Sequence, residues 1–287
     1  MTAHRWLICG SKGMLGTDLV DQLRSRGEET IGIDREELDI TVPHTLAQFF
    51  RENRPTIVVN CAAYTKVDAA EEDEHAANIL NGSSVEFLAH AANAIDALVV
   101  QLSTDFVFDG SAIRPYEVNH QPNPLSAYGR SKLLGEYAAS HAKRNAVVRT
   151  SWLFGRNGPN FVEAIRGQVA KGTDPLRVVD DQRGRPTYTP HLASALIRIA
   201  RLAYDSPDAN GIWHYADADA CSWFDFASAI VEMLGAPTRV VPVSTDEFPR
   251  PAKRPAYSVL STERYERLTG LPPESWREGL REYLIGQ

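Results

Sequence analysis

Apolar residues recur along the chain in short unbroken runs, separated by stretches whose apolar positions fall every three or four residues. The runs are RWLICG, ETIGID, TIVVNCAAY, ALVVQLSTD, AVVRTSWLFG and, late in the chain, GIWHYA. Unbroken runs of strand length predict strands buried on both faces, as in a parallel sheet. Between them, GTDLVDQLRSRG, VPHTLAQFFRENRP, SSVEFLAHAANA, SKLLGEYAASHAK and HLASALIRIARLAY predict amphipathic helices. Strand and helix alternate, so the expected class is α/β, with a doubly wound parallel sheet over the first 150 residues.

After Phe154 the rhythm loosens. Glycine, proline and arginine gather in GRNGPN, DDQRGRPTYTP and FPRPAKRP, which predicts loops above the sheet, where binding functions concentrate. The expected division is 1–152 plus 188–216 as a dinucleotide-binding part, and 153–187 plus 217–287 as a smaller, interleaved α/β substrate part.

Composition narrows the function classes. The 287 residues are 43% hydrophobic and 23% charged, ordinary for a globular chain. A net charge of -7 without a stripe of lysine and arginine argues against a nucleic-acid partner. No window reaches the length of a membrane span, and the opening MTAHRWLICGSKG lacks the pattern of a signal peptide. Cys9, Cys61 and Cys221 are odd in number, far apart and set among apolar residues. They are expected as free thiols in a reducing compartment, the cytoplasm.

The first chemical signal is WLICGSKGMLG, with Gly10, Gly13 and Gly16 between the first strand and the first helix. A tight strand-to-helix turn that brings backbone close to a pyrophosphate needs residues without Cβ. The helix amides then hold the phosphates, so Gly10, Ser11, Lys12, Gly13, Met14, Leu15 and Gly16 are candidate cofactor contacts and the sheet is expected to be Rossmann-type. Asp34 ends the second strand 18 residues past Gly16, near the roughly 20 expected of a carboxylate on an adenosine ribose. Arg35 and Lys12 are cations within reach of a 2'-phosphate, so NADH and NADPH both remain open, and Asp34 with Arg35 also reads as a solvated pair. The cofactor set further takes in Asp39, Ile40 and Cys61.

The second signal is YGRSK. Tyr128 and Lys132 are four apart and share a helix face. A neighbouring ammonium lowers a phenol pKa, and a drop of about three units corresponds to roughly 4 kcal/mol. A solvent-exposed pair does not supply that much, so the pair requires a sheltered site. Alone, the spacing equally describes a surface tyrosine beside a lysine. What alters the balance is STDFVFDG, where Ser103 and Thr104 end a strand at the carboxyl edge at which open α/β sheets bind ligands.

With these residues in place, the chain resembles the extended short-chain dehydrogenase/reductases, and among them the dTDP-4-dehydrorhamnose reductases. The likeness rests on GSKGMLG, VVNCAAYTKVDAAE, LNGSSVEFLA, STDFVFDG, YGRSK, VVRTSWLFG, NFV, VVDDQRGRPTY and PAKRP. It implies Thr104, Tyr128 and Lys132 as the catalytic set, Ala62, Ala63 and Tyr64 along the cofactor, and Asn81 supporting the site. It also implies reduction of the C4 ketone of a dTDP-linked 4-keto-6-deoxy sugar by NADH or NADPH, with Tyr128 giving the proton and Thr104 polarising the ketone. Candidate substrate contacts are Thr104, Asp105, Phe106, Tyr128, Trp152, Asn160, Gln182, Arg183 and Arg254. Trp152 reads equally as a core residue, and the cations Arg250, Lys253 and Arg254 as a solvated cluster.

Some relatives use magnesium at a dimer contact, but no ligand set is identifiable here. The histidines are scattered, and EEDE at 71–74 reads as the acidic first turn of a helix rather than a metal site. Monomer and homodimer both stay open. Dehydration is disfavoured because Phe106 follows Asp105 where the dehydratases carry a glutamate. Epimerisation, reduction of another dTDP-deoxysugar of dihydrostreptose type, and a non-catalytic NADP-binding regulatory subunit remain competitors.

Overall fold

The computed structural model describes residues 4–286. Its leading half runs β1 (Arg5–Cys9), α1 (Met14–Ser25), β2 (Glu29–Ile33), α2 (Pro43–Asn53), β3 (Ile57–Asn60), α3 (Glu74–Asn78), α4 (Ser84–Asn93), β4 (Leu98–Thr104), α5 (Ala127–Ala139) and β5 (Asn145–Thr150). There follow β6 (Leu153–Phe154), α6 (Phe161–Ala170), β7 (Leu176–Val179), β8 (Arg183–Gly184), β9 (Thr187–Tyr188), α7 (Thr189–Asp205) and β10 (Gly211–His214). The chain closes with β11 (Cys221–Ser222), α8 (Trp223–Met233), β12 (Val240–Val243), α9 (Glu263–Thr269) and α10 (Trp276–Ile285).

The main sheet has six strands in the order β2-β1-β3-β4-β5-β10, all parallel. Alternate side chains go to opposite faces, which is why the strands read as unbroken apolar runs. Trp6 and Ile8 of β1, with Val59 and Val100, pack beneath α1 and α7 against Leu19, Leu23, Leu192 and Leu196. Leu7, Cys9, Val58 and Val99 face the other way, onto Leu46 and Phe50 of α2 and Leu88 of α4. α7 starts with Pro190 in its first turn, where a missing N–H does no harm.

Strand order reverses between β1 and β3, and a doubly wound sheet binds its ligand in the crevice at such a point. Between α3 and α4 the helix widens into a π turn over Ile79–Ser83, a distortion that recurs at functional sites, and Asn81 lies in it.

The strands and helices expected in the first 150 residues are present, as are α7 and β10. The region after Phe154 is more regular than the expected loops. It contains α6, α8, α9 and α10 and three two-stranded sheets, β11-β8, β12-β7 and β6-β9. Phe154, Val162, Ile165, Phe226, Ile230, Trp276 and Tyr283 form a separate apolar cluster there.

Candidate active site

One cavity of about 1140 Å3 runs across the carboxyl ends of β1, β3, β4 and β5. Its floor at the switch point is the glycine turn. Gly10 has φ of 73°, the left-handed region, and a Cβ there would sit 2.7 Å from Ala62 N. Gly16 packs so closely on Gly10 that a Cβ would collide with the Gly10 carbonyl. α1 begins at N-cap Gly13 with no side-chain cap, so its first N–H groups are left for a ligand. Backbone closeness, uncapped amides and a positive helix end fit a pyrophosphate, and the residues present therefore suit a dinucleotide.

At the ribose end, Asp34 and Arg35 line the cavity with Asp39 and Ile40. Asp34 Oδ2 accepts from Lys12 N at 3.3 Å, and Asp34 N donates to Glu37 Oε2 at 2.9 Å. Lys12 Nζ is clasped by Glu36 at 2.9 Å and Glu37 at 2.6 Å. Arg35 turns to Asp39 at 3.6 Å. Both cations expected for a 2'-phosphate are thus engaged by carboxylates.

At the other end the catalytic candidates converge. Thr104, Asp105, Phe106, Tyr128, Lys132 and Trp152 line the same cavity, as do Cys61, Ala62, Ala63, Tyr64 and Ser103. The N-terminus of α5 is fixed from several sides. Ser126 Oγ caps it by accepting from Gly129 N at 3.1 Å, Glu71 Oε1 accepts from Ala127 N at 2.8 Å, and Glu74 holds Arg130 through two bonds of 2.8 and 2.9 Å. Asp73 also caps α3, accepting from Ala76 N at 3.0 Å. The EEDE run is therefore a brace for the helix that carries Tyr128, as well as a helix start. Asn81 Nδ2 donates to Ser131 Oγ at 2.9 Å and to Tyr64 O at 3.0 Å, tying α5 to the cofactor wall from the π turn.

The electrostatics differ from the expectation for Tyr128. Burial dominates and pushes its phenol up to about 12, with the Thr104 hydroxyl acting downward and the Asp105 carboxylate upward. The groups that move the phenol do not include Lys132, whose Nζ donates to Leu102 O at 2.7 Å. Its own pKa is drawn down to about 8 by burial, opposed by Glu136 and Cys61. Asp105 is pushed up to about 6 by burial, tempered by Ser258 and Thr104. Thr104 Oγ1 donates to Asp105 Oδ1 at 3.0 Å and accepts from Phe106 N at 3.2 Å. Its single proton is thus directed at Asp105, and it reaches a ketone only by rotating, as a hydroxyl can.

The substrate candidates divide. Arg254 lines the cavity, its guanidinium held by Asp68 at 2.7 and 2.9 Å. Trp152, at φ of 50°, stacks on Trp223 with ring centres 3.6 Å apart and planes 8° apart; Trp223 also lines the cavity, a contact the sequence did not disclose. Asn160, Gln182 and Arg183 do not line it. Asn160 caps α6 and donates to Gly155 O and Gly158 O, Gln182 donates to Thr245 Oγ1 at 2.9 Å, and Arg183 belongs to β8 opposite β11. Among the described residues no group of three or more His, Cys, Asp and Glu is placed to hold a metal. The cysteines are free.

Residues 4–286 match the family described as RmlD substrate binding domain. The chain is 44% identical, over 97% of its length and 94% of the other's, to a probable dTDP-4,6-dihydroxy-2-methyloxan-3-one 4-ketoreductase of Streptomyces antibioticus. A solved dTDP-4-dehydrorhamnose reductase of Clostridium acetobutylicum is 40% identical with TM-score 0.93, covering 98% of both chains. Another from Bacillus anthracis, solved in complex with NADP, is 35% identical with TM-score 0.93 and covers 100% of both. The glycine turn, the Tyr128/Lys132 helix and a family match across nearly the whole length agree, and the chain belongs to the RmlD substrate binding domain family, alongside the dTDP-4-dehydrorhamnose reductases.

Proposed function

We propose that the protein is an oxidoreductase that uses NADH or NADPH to reduce the C4 ketone of a dTDP-linked 4-keto-6-deoxy sugar, first among them dTDP-4-dehydro-L-rhamnose. The observation that carries this reading is the convergence of Thr104, Tyr128 and Lys132 on one cavity that also contains the glycine turn. When bound, the reduced nicotinamide supplies the hydride. Tyr128, its pKa at about 12, is fully protonated at neutral pH, the state a donor needs, and gives its proton to the oxygen that becomes the C4 hydroxyl. Thr104 steadies that oxygen or the phenol, and the Lys132 ammonium faces the cavity as a donor to ribose hydroxyls. Trp152 and Trp223 form an aromatic wall for the sugar, and Arg254, steered by Asp68, faces the diphosphate.

A second sugar is favoured by one observation: the Streptomyces antibioticus relative is described as a ketoreductase for a different dTDP-linked ketone. We also read 1–152 plus 188–216 as the cofactor part and 153–187 plus 217–287 as the substrate part, which the separate cluster around Phe154 and Trp276 supports. We place the enzyme in the cytoplasm as a monomer or homodimer; among the described residues no helix is long and apolar enough to cross a membrane. The test is incubation with NADPH or NADH and a panel of dTDP-4-keto sugars, following nicotinamide absorbance and assigning products by NMR. Oxidation with an alcohol formed at C4 supports the reading, and cofactor binding without oxidation on any member of the panel overturns it.

A further inference from the structure

Behind the catalytic pair lies a buried polar seam that the proposed reaction does not by itself use. Glu136 is 5% exposed and Arg149 2%, and they form a two-pronged ion pair, Arg149 Nε to Glu136 Oε1 at 2.8 Å and Nη2 to Oε2 at 2.7 Å. Ser103 Oγ donates to the same Glu136 Oε1 at 2.5 Å. On the far side, Arg149 Nη1 lies 3.3 Å from His214 Nε2, whose Nδ1 is 3.0 Å from Tyr116 O. Register explains the alignment: Ser103, Arg149 and His214 stand directly opposite one another across β4, β5 and β10.

This seam reaches the reaction through α5. Tyr128, Lys132 and Glu136 follow at four-residue spacing and so form one row on the helix. Lys132 is 3% exposed; its ammonium is anchored on Leu102 O, and Glu136 is anchored on the next residue of the same strand, Ser103. An ammonium so buried needs a negative neighbour to stay charged. The groups facing it are few. Tyr128 on its own helix and Cys61 at the end of β3 are both pushed up to about 12 and are neutral. His214 on β10 is drawn down to about 3 by burial and by Arg149 and is neutral too. Asp105, after β4, acts on the phenol. Glu136 remains as the charge that favours the ammonium, with Arg149 behind it offsetting that charge.

We propose that Glu136, gripped by Arg149 and Ser103, is a positioning residue that keeps Lys132 charged and aimed into the cavity, so that the Glu136–Arg149 balance sets the alkaline limit of cofactor binding and turnover. This rests on the reductase reading for its turnover arm only. Deleting the carboxylate leaves Arg149 uncompensated and drives the proton off Lys132; deleting the guanidinium makes Lys132 the nearest counter-ion of Glu136 and holds the proton on. Deleting both removes the nearer negative charge together with the farther positive one, a smaller loss to Lys132 than deleting the carboxylate alone.

The test is NADH binding by nicotinamide fluorescence from about pH 6 to 10, with turnover measured alongside, in wild type, Glu136→Gln, Arg149→Met and the double variant. The alkaline limb is expected to move down by about one pH unit in Glu136→Gln and up by about one unit in Arg149→Met, and to fall between the Glu136→Gln and wild-type positions in the double variant. Circular dichroism reports folding; if Glu136→Gln is unfolded, Glu136→Asp, which retains the charge, replaces it and is expected to leave the limb unmoved while Arg149→Met still shifts it up, and if Arg149→Met is unfolded, Glu136→Gln is still expected to shift it down. Limbs that stay fixed in all folded variants, or move in the same direction in both single variants, overturn the proposal. Loss of sugar reduction in wild type with intact, shifting cofactor limbs would sink the reductase reading and leave this one standing.

Discussion

Asp105 offers a quantitative probe of the site. Its carboxyl is 2% exposed, Oδ1 takes the Thr104 proton, and Oδ2 makes no hydrogen bond of good geometry, although Ser258 lies close enough to temper its rise. A pKa that goes from 3.8 to about 6 on folding means the native state holds a proton the unfolded chain has lost across that interval. Stability therefore falls as pH rises from about 4 to about 6, and above it the buried carboxylate costs about 3 kcal/mol at about 1.4 kcal/mol per pH unit. Asp105→Asn keeps an acceptor for Thr104 and removes the titration. Its fixed penalty, an amide N–H in place of Oδ2 costing about 1–3 kcal/mol if unpaired, is the same at every pH. The expected result, from urea denaturation of both proteins, is that the variant gains about 2–3 kcal/mol relative to wild type between about pH 4 and pH 7.5. A difference that does not change with pH would refute the placement of an unpaired, buried carboxylate beside Thr104.

Three further outcomes follow from the geometry. Glu37→Gln loosens the clasp on Lys12 and is expected to strengthen NADPH binding several-fold while leaving NADH affinity unchanged, as read by fluorescence titration at low salt, where exposed charges act most. Gly10→Ala places a Cβ 2.7 Å from Ala62 N on a backbone at φ of 73° and is expected to abolish binding of both cofactors in a calorimetric titration and to lower the melting temperature. Trp213→Ala empties a fully buried site that also carries a hydrogen bond to Ala209 O at 2.8 Å and should cost about 3–5 kcal/mol in denaturant unfolding.

The sheet was legible because strands covered on both faces carry consecutive apolar residues, as at Trp6–Cys9, Ile57–Val59, Leu98–Val100 and Ala146–Val148. The late helices were not. α6 buries only Val162 and Ile165, too few to mark a face, and α8 comes directly after the short stretch ADADACS. α8 did carry a local sign, since Ser222 and Asp225 form a reciprocal cap that the sequence displays as S-x-x-D. The convergence of Thr104, Tyr128 and Lys132 on one cavity was readable because their spacing and strand-end position are local. Asn160 and Gln182 lie off the cavity lining and bond to other groups of the chain, and the sequence could not show this because a polar side chain in a loop looks the same whether it meets a ligand or another part of the chain. Glu136 and Arg149 carried no signal in the sequence, since they meet only where α5 packs over Arg149 of β5. Trp223 was missed because its partner Trp152 is distant in sequence.

The Tyr128 phenol as proton donor is tested most directly by single-turnover reduction of the dTDP-4-keto sugar by Tyr128→Phe, with cofactor affinity measured in the same samples. The expected result is a fall of about a hundredfold to ten-thousandfold in the rate of reduction with NADH and NADPH bound as in wild type. Reduction at the wild-type rate with cofactor bound would contradict it.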